Sequence, residues 1–270
     1  FYGNKELLYK ANIWLRTANR LLLPFKEFTI KSDEDLYNKI KAIEWENIFD
    51  VNQTFAIDTA VFSPLFNHSK YPAFKTKDAI ADRFREKFDK RPDIDTTNPD
   101  IRINLHINLD NKCTVSLDSS GDPLFKRGYR ESSSMAPIKE DLAAGLILLS
   151  GWDKASTFVD LFCGSGKLLS EATMIACNIP PNINRGVFGF MNWKTYDEAL
   201  FDKVIDEALD EEINFPHQII GVDIDGRVMG MSRANIEAAG LTDKITLFKK
   251  DFKDFQAPDK KGVIISNPPY

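Results

Sequence analysis

The chain has 270 residues, 43% hydrophobic, 28% charged and 11% aromatic, with a formal net charge of −5. That composition supplies enough apolar material for packed cores and excludes global disorder, and the length favours two domains. The acidic balance excludes a chain that is simply a basic nucleic-acid coat, and no run approaches the roughly 20 apolar residues of a membrane span.

The first half reads as α+β. Leu7, Ala11, Leu15 and Ala18 fall at helical spacing and predict a helix over 5–20. A short strand follows from Phe25 to Ile30. Ser32, three residues before Asp35, has the form of a capping box and starts a helix running to about Ile43. Residues 54–62 read as a strand and 78–88 as a helix. That helix lies within a stretch, 70–91, holding eight basic and four acidic side chains. The stretch is either a phosphate-binding stripe or a solvated helix face. Ile101, Ile103, Leu105, Ile107 and Leu109 alternate strictly, as do Cys113, Val115 and Leu117 beyond the Asp110-Asn111 turn, which predicts a hairpin. The break at Ser119-Ser120-Gly121-Asp122-Pro123 is the expected domain boundary.

The second half changes character. Strand-like runs at 157–161, 218–222, 244–248 and 262–266 alternate with helical segments at 138–149, 166–177, 197–212 and 227–239. Such alternation predicts an α/β domain with a parallel sheet and helices on both faces. Ligands of such sheets sit beyond the carboxyl ends of the strands.

Three of those strand ends carry a consistent set of residues. After the first comes Asp160-Leu161-Phe162-Cys163-Gly164-Ser165-Gly166-Lys167. A phosphate-binding P-loop fails here, because Leu161 stands at its first glycine and Leu168 follows the lysine. A dinucleotide turn fails at Leu169, its third glycine position. The pattern D-x-x-C-G-S-G of an S-adenosylmethionine-binding loop fits at every position. Asp160 then accepts from the ligand's ammonium or orients the loop, and the glycines leave room for the ligand. Asp223, at the end of the second strand and followed by Ile224, is placed to take both ribose hydroxyls, a feature shared with NAD enzymes; Asp225 starts the next helix. Asp251 and Phe252 follow the third strand, where an acid can accept from an adenine amino group.

The fourth strand runs into Asn267-Pro268-Pro269-Tyr270. Two prolines directly after a buried strand sacrifice backbone donors, and chemistry gives a reason for them. An exocyclic amine is a poor nucleophile because its lone pair is delocalised into the ring. The Asn267 side-chain oxygen and the Pro268 carbonyl can each accept one amine hydrogen and aim the lone pair, while Tyr270 stacks on the base.

Taken together, these motifs resemble class I methyltransferases acting on exocyclic amines. Phe125-Lys126-Arg127-Gly128-Tyr129-Arg130, Ala136-Pro137-Ile138-Lys139-Glu140 and Trp14-Leu15-Arg16-Thr17-Ala18 are similar to the branch in which a THUMP RNA-binding domain precedes the methyltransferase. Within it the chain resembles bacterial 23S rRNA guanine-N2 methyltransferases. The resemblance implies a THUMP-like domain over 1–120, a connector over 121–137 and a Rossmann-like methyltransferase domain over 138–270, with the chain incomplete at both ends. It also implies S-adenosylmethionine as donor, RNA as partner and a cytoplasmic location. Cofactor contacts fall to Asp160, Phe162, Cys163, Gly164, Ser165, Gly166, Asp223, Ile224, Asp251 and Phe252, and catalysis to Asn267, Pro268, Pro269 and Tyr270. Lys70, Lys75, Lys77 and Arg83 are the RNA candidates of the basic stretch. Lys126, Arg127 and Arg130 either touch phosphate or form structural salt bridges. Two departures from the family pattern stand out: Lys167 where threonine is usual, and Gly226 where proline is common.

Other readings of the same residues are adenine-N6 methylation of DNA or RNA, guanine-N2 methylation of tRNA, an RNA-binding module with a vestigial methyltransferase half, and a nicotinamide dehydrogenase. No metal is expected: Cys113, Cys163 and Cys177 lack paired spacing, as do His68, His106 and His217.

Overall fold

The computed structural model describes residues 2–129, 138–259 and 261–268. It divides into two compact units, neither continuous in sequence. One comprises residues 20–122 and 187–198, the other residues 1–19, 123–186 and 199–270.

The first unit holds β1 (Leu22–Thr29), α2 (Asp33–Lys41), β2 (Phe55–Val61), α3 (Lys70–Phe88), β3 (Ile101–Ile107) and β4 (Lys112–Asp118). Its sheet has the order β1-β4-β3-β2. β2 and β3 run parallel and the other neighbours antiparallel. The alternation read at 101–109 holds through Ile107, with Ile101, Ile103, Leu105 and Ile107 all fully buried, but Leu109 lies beyond the strand in the turn and is 74% exposed. Ser32 caps α2 as expected, its hydroxyl accepting from Asp35 N at 3.1 Å. α3 begins eight residues earlier than the periodicity predicts. Pro72 lies in its first turn, where a missing N–H costs nothing.

The second unit opens with α1 (Lys5–Trp14), capped by Asn4, whose side chain accepts from Leu7 N. The helix is shorter than expected and belongs to this unit, not to the one containing β1 to β4. Its partners explain both differences. Tyr9 packs edge-on against Phe201 at 5.5 Å. Asn182 donates to Asn12 O at 2.8 Å, and Arg16 donates to the carbonyls of Met174 and Ile179. Asn182 thereby occupies the Asn12 carbonyl that a longer helix would offer to Arg16 N. The expected span of 1–120 for one domain therefore differs from the compact unit, which starts at Arg20.

The rest of this unit is α4 (Glu140–Leu149), β5 (Thr157–Asp160), α5 (Lys167–Ala176), α6 (Glu198–Asp210), β6 (Ile219–Asp223), α7 (Gly226–Ala238), β7 (Thr246–Lys249) and β8 (Gly262–Ile264). Glu198, the first residue of α6, falls at the boundary between the units. The sheet is wholly parallel, in the order β7-β6-β5-β8. Phe158 and Ile219 share a core with Ala143 and Ile147 of α4, Leu168, Leu169 and Ala172 of α5, and Met229 and Ile236 of α7. Val159, Ile220 and Val222 form a smaller cluster with Leu161 and Phe255. The order reverses direction between β5 and β8, and at such a switch point the strand ends diverge and leave a crevice.

Candidate active site

The crevice is present. A cavity of about 560 Å³ opens at the carboxyl ends of β5, β6, β7 and β8. It is lined by Asp160, Phe162, Cys163, Gly164 and Ser165 after β5, Asp223 and Ile224 after β6, Asp251 and Phe252 after β7, and Asn267 and Pro268 after β8. Of the expected cofactor residues only Gly166 is absent from the wall. Its part is in the backbone, where φ is +84° and an added Cβ would lie 2.6 Å from Ser232 Oγ. Gly164 is also left-handed, with φ +54°. Pro269 and Tyr270 lie outside the described residues, as does Arg130.

Local hydrogen bonds hold the loop after β5 in shape. Cys163 N donates to Val222 O at 3.0 Å and Gly166 N to Cys163 O at 2.8 Å. Asn235 of α7 donates to Ser165 O at 3.0 Å. Asp223 has two duties. Its Oδ2 accepts from Gly164 N at 3.1 Å and its Oδ1 from Asp225 N at 2.9 Å. Asp225 caps α7 by accepting from Arg227 N, as its position suggested. Asp251 accepts from Lys253 N at 3.0 Å, and the Phe162 and Phe252 rings lie 5.1 Å apart.

Asp160 is 1% exposed and accepts from Phe162 N at 3.1 Å. Burial, with the Asp223 carboxylate as a lesser contributor, pushes its carboxyl up to about 7 against the pull of the Phe162 N–H and Ser266. Burial likewise pushes the Cys163 thiol far up, so this cysteine is a packing residue and not a nucleophile.

Sequence reasoning missed part of the wall. Lys167 and Ile138 line the cavity. The Lys167 ammonium, 5% exposed, pairs with Glu140 at 2.9 Å and donates to Ile138 O at 2.7 Å. A lysine at a helix start opposes the helix dipole, and that mismatch was the signal available. It is offset by a buried carboxylate 27 residues upstream, which no local pattern could reveal.

The basic candidates fare unevenly. For Arg127 the salt-bridge alternative holds and the phosphate one is corrected: it is 1% exposed, and its guanidinium is engaged by Glu171, Leu124 O, Asn182 and Arg16 O, so it cannot reach phosphate. Arg83 is a correction too, bound through two nitrogens to Glu46. Lys87 joins the same carboxylate, and Arg83 with Lys87 holds Glu46 down at about 2 against the opposing effect of burial. Lys75 pairs with Asp33 and Lys77 with Asp78, so much of the apparent stripe is internally compensated. Lys70 and Lys126 are exposed. No metal-binding cluster occurs among the described residues, and no described helix is long and apolar enough to cross a membrane.

Residues 127–270 match the RMKL-like methyltransferase domain family, UPF0020. The chain belongs to this family. Residues 31–118 of the methyltransferase match the THUMP domain, and residues 1–22 match the RlmL ferredoxin-like domain. The methyltransferase is 32% identical to a protein of Listeria monocytogenes str. 4b F2365 described as an N6-adenine-specific DNA methylase; the match covers 99% of this chain and 70% of that one, at a TM-score of 0.88. It is 36% identical to SMU.472, assigned as a methyltransferase and solved with S-adenosylhomocysteine (99% and 71% covered, TM-score 0.84). A protein of Clostridium difficile 630 assigned as a methylase is 34% identical (99% and 70% covered, TM-score 0.83).

S-adenosylmethionine is the cofactor of the methyltransferase, and the residues present fit it. The cavity has the volume of a small-molecule site. It pairs two carboxylates, Asp160 and Asp223, with apolar side chains left open to solvent, Ile224 at 66% and Phe252 at 44%. Carboxylates suit an ammonium and hydroxyls, and the open apolar groups suit a base.

Proposed function

We propose that the protein methylates an exocyclic amine of a base in RNA, most specifically guanine N2 of 23S rRNA, in the cytoplasm. The observation that carries this reading is that Asn267 and Pro268 border the same cavity as Asp160 and Asp223. When bound, the donor supplies an electrophilic methyl group on a sulfonium. The Asn267 side-chain oxygen and the Pro268 carbonyl accept the two amine hydrogens and direct the nitrogen lone pair into the cavity. Tyr270 supplies a ring face for the base. Orientation and polarisation supply the rate enhancement, and no strong general base is needed. The base must first leave its stack or lie in a single strand. Asp223 takes the ribose hydroxyls, Asp251 the adenine amino group, and Asp160 the ammonium or the loop that receives it.

RNA is favoured over DNA by the THUMP and RlmL-like matches, which together span residues 1–22 and 31–118. The exposed Lys70 and Lys126 remain the phosphate candidates on this reading, and Lys75 and Lys77 would have to exchange Asp33 and Asp78 for phosphate. A second reading, adenine-N6 methylation, draws support from the description of the Listeria relative. Nucleoside mass spectrometry of rRNA and tRNA from cells lacking the gene separates them. Loss of one N2-methylguanosine from 23S rRNA is the expected result. Loss from tRNA keeps the chemistry and changes the substrate, whereas loss of N6-methyladenosine overturns the guanine assignment.

A further inference from the structure

We infer that Lys167 binds the methyl donor directly, its ammonium meeting the α-carboxylate at the amino-acid end of the cavity. S-adenosylmethionine carries two opposite charges at that end, an ammonium and a carboxylate, and the wall must answer both. On the reading above Asp160 answers the ammonium. The backbone of the loop after β5 is largely committed elsewhere. Leu161 N donates to Ser266 Oγ, Phe162 N to Asp160, Cys163 N to Val222 O, Gly164 N to Asp223 and Gly166 N to Cys163 O. An incoming anion would have to break the bonds that shape the loop in order to use these N–H groups. The carboxylate therefore calls for a side chain.

Two cations line the cavity among the described residues, Lys167 and Lys250. Lys250 is exposed and directly precedes Asp251 and Phe252, the residues assigned to the base. Lys167 directly follows the glycine loop at the other end of the ligand. Its place is built into the fold. The ammonium is fixed by Glu140 at 2.9 Å and by Ile138 O at 2.7 Å, and the two charged side chains are only 5% and 3% exposed. Glu140 is not part of the cavity wall, whereas Lys167 is, so the ion pair turns its positive member toward the ligand. A buried ammonium keeps its charge only beside such a partner. Leu168 lines the cavity as well, so the first turn of α5 forms this wall and its dipole adds to the positive potential.

The inference rests on the proposed placement of the donor, with its ribose at Asp223 and its ammonium near Asp160; it does not depend on which base is methylated. The test is titration calorimetry on the full chain without RNA. The probes are S-adenosylhomocysteine, its carboxamide, in which the α-carboxylate is neutral, and methylthioadenosine, the same nucleoside thioether without the amino-acid end. The parent protein is expected to bind S-adenosylhomocysteine about 10- to 100-fold more tightly than the carboxamide, the worth of a hydrogen bond between charged groups. Lys167→Met is expected to lose that preference, binding S-adenosylhomocysteine about 10- to 100-fold more weakly than the parent while holding methylthioadenosine within about twofold. Equal loss for all the probes would assign Lys167 to the fold alone and overturn the inference. A preference for the carboxylate that is absent from the parent, or undiminished in the variant, overturns it too. Lys167→Met leaves Glu140 buried without its partner. If that variant does not fold, Lys167→Met combined with Glu140→Gln, which removes both charges, is titrated instead. Asp223→Ala is the control for the placement. Parental affinity for methylthioadenosine in that variant would take the ribose away from Asp223, while the carboxamide comparison still decides Lys167.

Discussion

Arg127 and Glu171 meet through Nε and Oε1 at 2.9 Å, and neither side chain reaches solvent. Burial pushes the Glu171 carboxyl up, and the Arg127 guanidinium opposes that shift. The same guanidinium holds Arg16 O at 2.6 Å, Leu124 O at 2.9 Å and Asn182 Oδ1 at 3.2 Å. It therefore gathers segments near residues 16, 124, 171 and 182. Removing one partner strands the other charge in a dry interior. Arg127→Met and Glu171→Gln should each destabilise the fold by about 3–5 kcal/mol. Urea denaturation of the two variants checks this, and a loss below about 1 kcal/mol would reject the network as structural.

Asn267 and Asp223 border one cavity but face different partners on the proposed reading, so their variants should separate. Asn267→Ala should lower kcat by about 100-fold or more and leave S-adenosylhomocysteine affinity within about twofold of the parent. Asp223→Ala should weaken that affinity by about 10- to 100-fold, losing hydrogen bonds made by a charged group. Calorimetry and single-turnover kinetics on both variants provide the comparison. Equal loss of binding and turnover in Asn267→Ala would remove its assigned role.

Asp160 gives a pH dependence of unusual sign. Its folded-state value of about 7 lies above the roughly 3.9 of an unfolded chain. Between those values the folded state holds the extra proton, so this group's contribution to stability is largest below about pH 4 and falls as pH rises to about 7. Asp160→Asn should therefore gain thermal stability relative to the parent at pH 8 and far less at pH 5. Melting temperatures across that range are the measurement. A constant difference would mean that Asp160 does not titrate there.

Gly166 carries the backbone of the donor loop at φ +84°. Gly166→Ala places a side chain in the left-handed region and drives Cβ to 2.6 Å from Ser232 Oγ. A cost of about 1–3 kcal/mol is expected, together with weaker donor binding, because Ser170 N reaches back to Gly166 O to start α5. Thermal denaturation and calorimetry on one sample check both effects.

Strand ends were legible because each signal is local. Asp160 and Asp223 end apolar runs directly, Asp251 and Asn267 follow theirs within three residues, and the parallel topology brings four such ends to one place. The cap at Asp225 and the capping box at Ser32 were equally local. What escaped depends on partners distant in sequence. Phosphate contact and a structural ion pair were both open for Arg127, and only Glu171, 44 residues away, decides between them; the partner of Lys167 is likewise the distant Glu140. α3 extends eight residues ahead of the predicted start, with Pro72 in its first turn, where a missing N–H costs nothing. α1 was lengthened because helical spacing continues through Ala18, although the bonds from Arg16 and Asn182 bend the chain away.

The interleaved path of the two units sets an order on synthesis. Arg16 must find the carbonyl of Ile179, 163 residues further along. At about 5–20 residues per second, that partner leaves the ribosome roughly 8–30 s after Arg16 does. The mixed sheet of β1 to β4 lies wholly within the intervening residues and can close during the wait. A ten-residue helix is marginal alone in water, so the nascent segment around α1 spends that interval with Tyr9 and Ile13 uncovered.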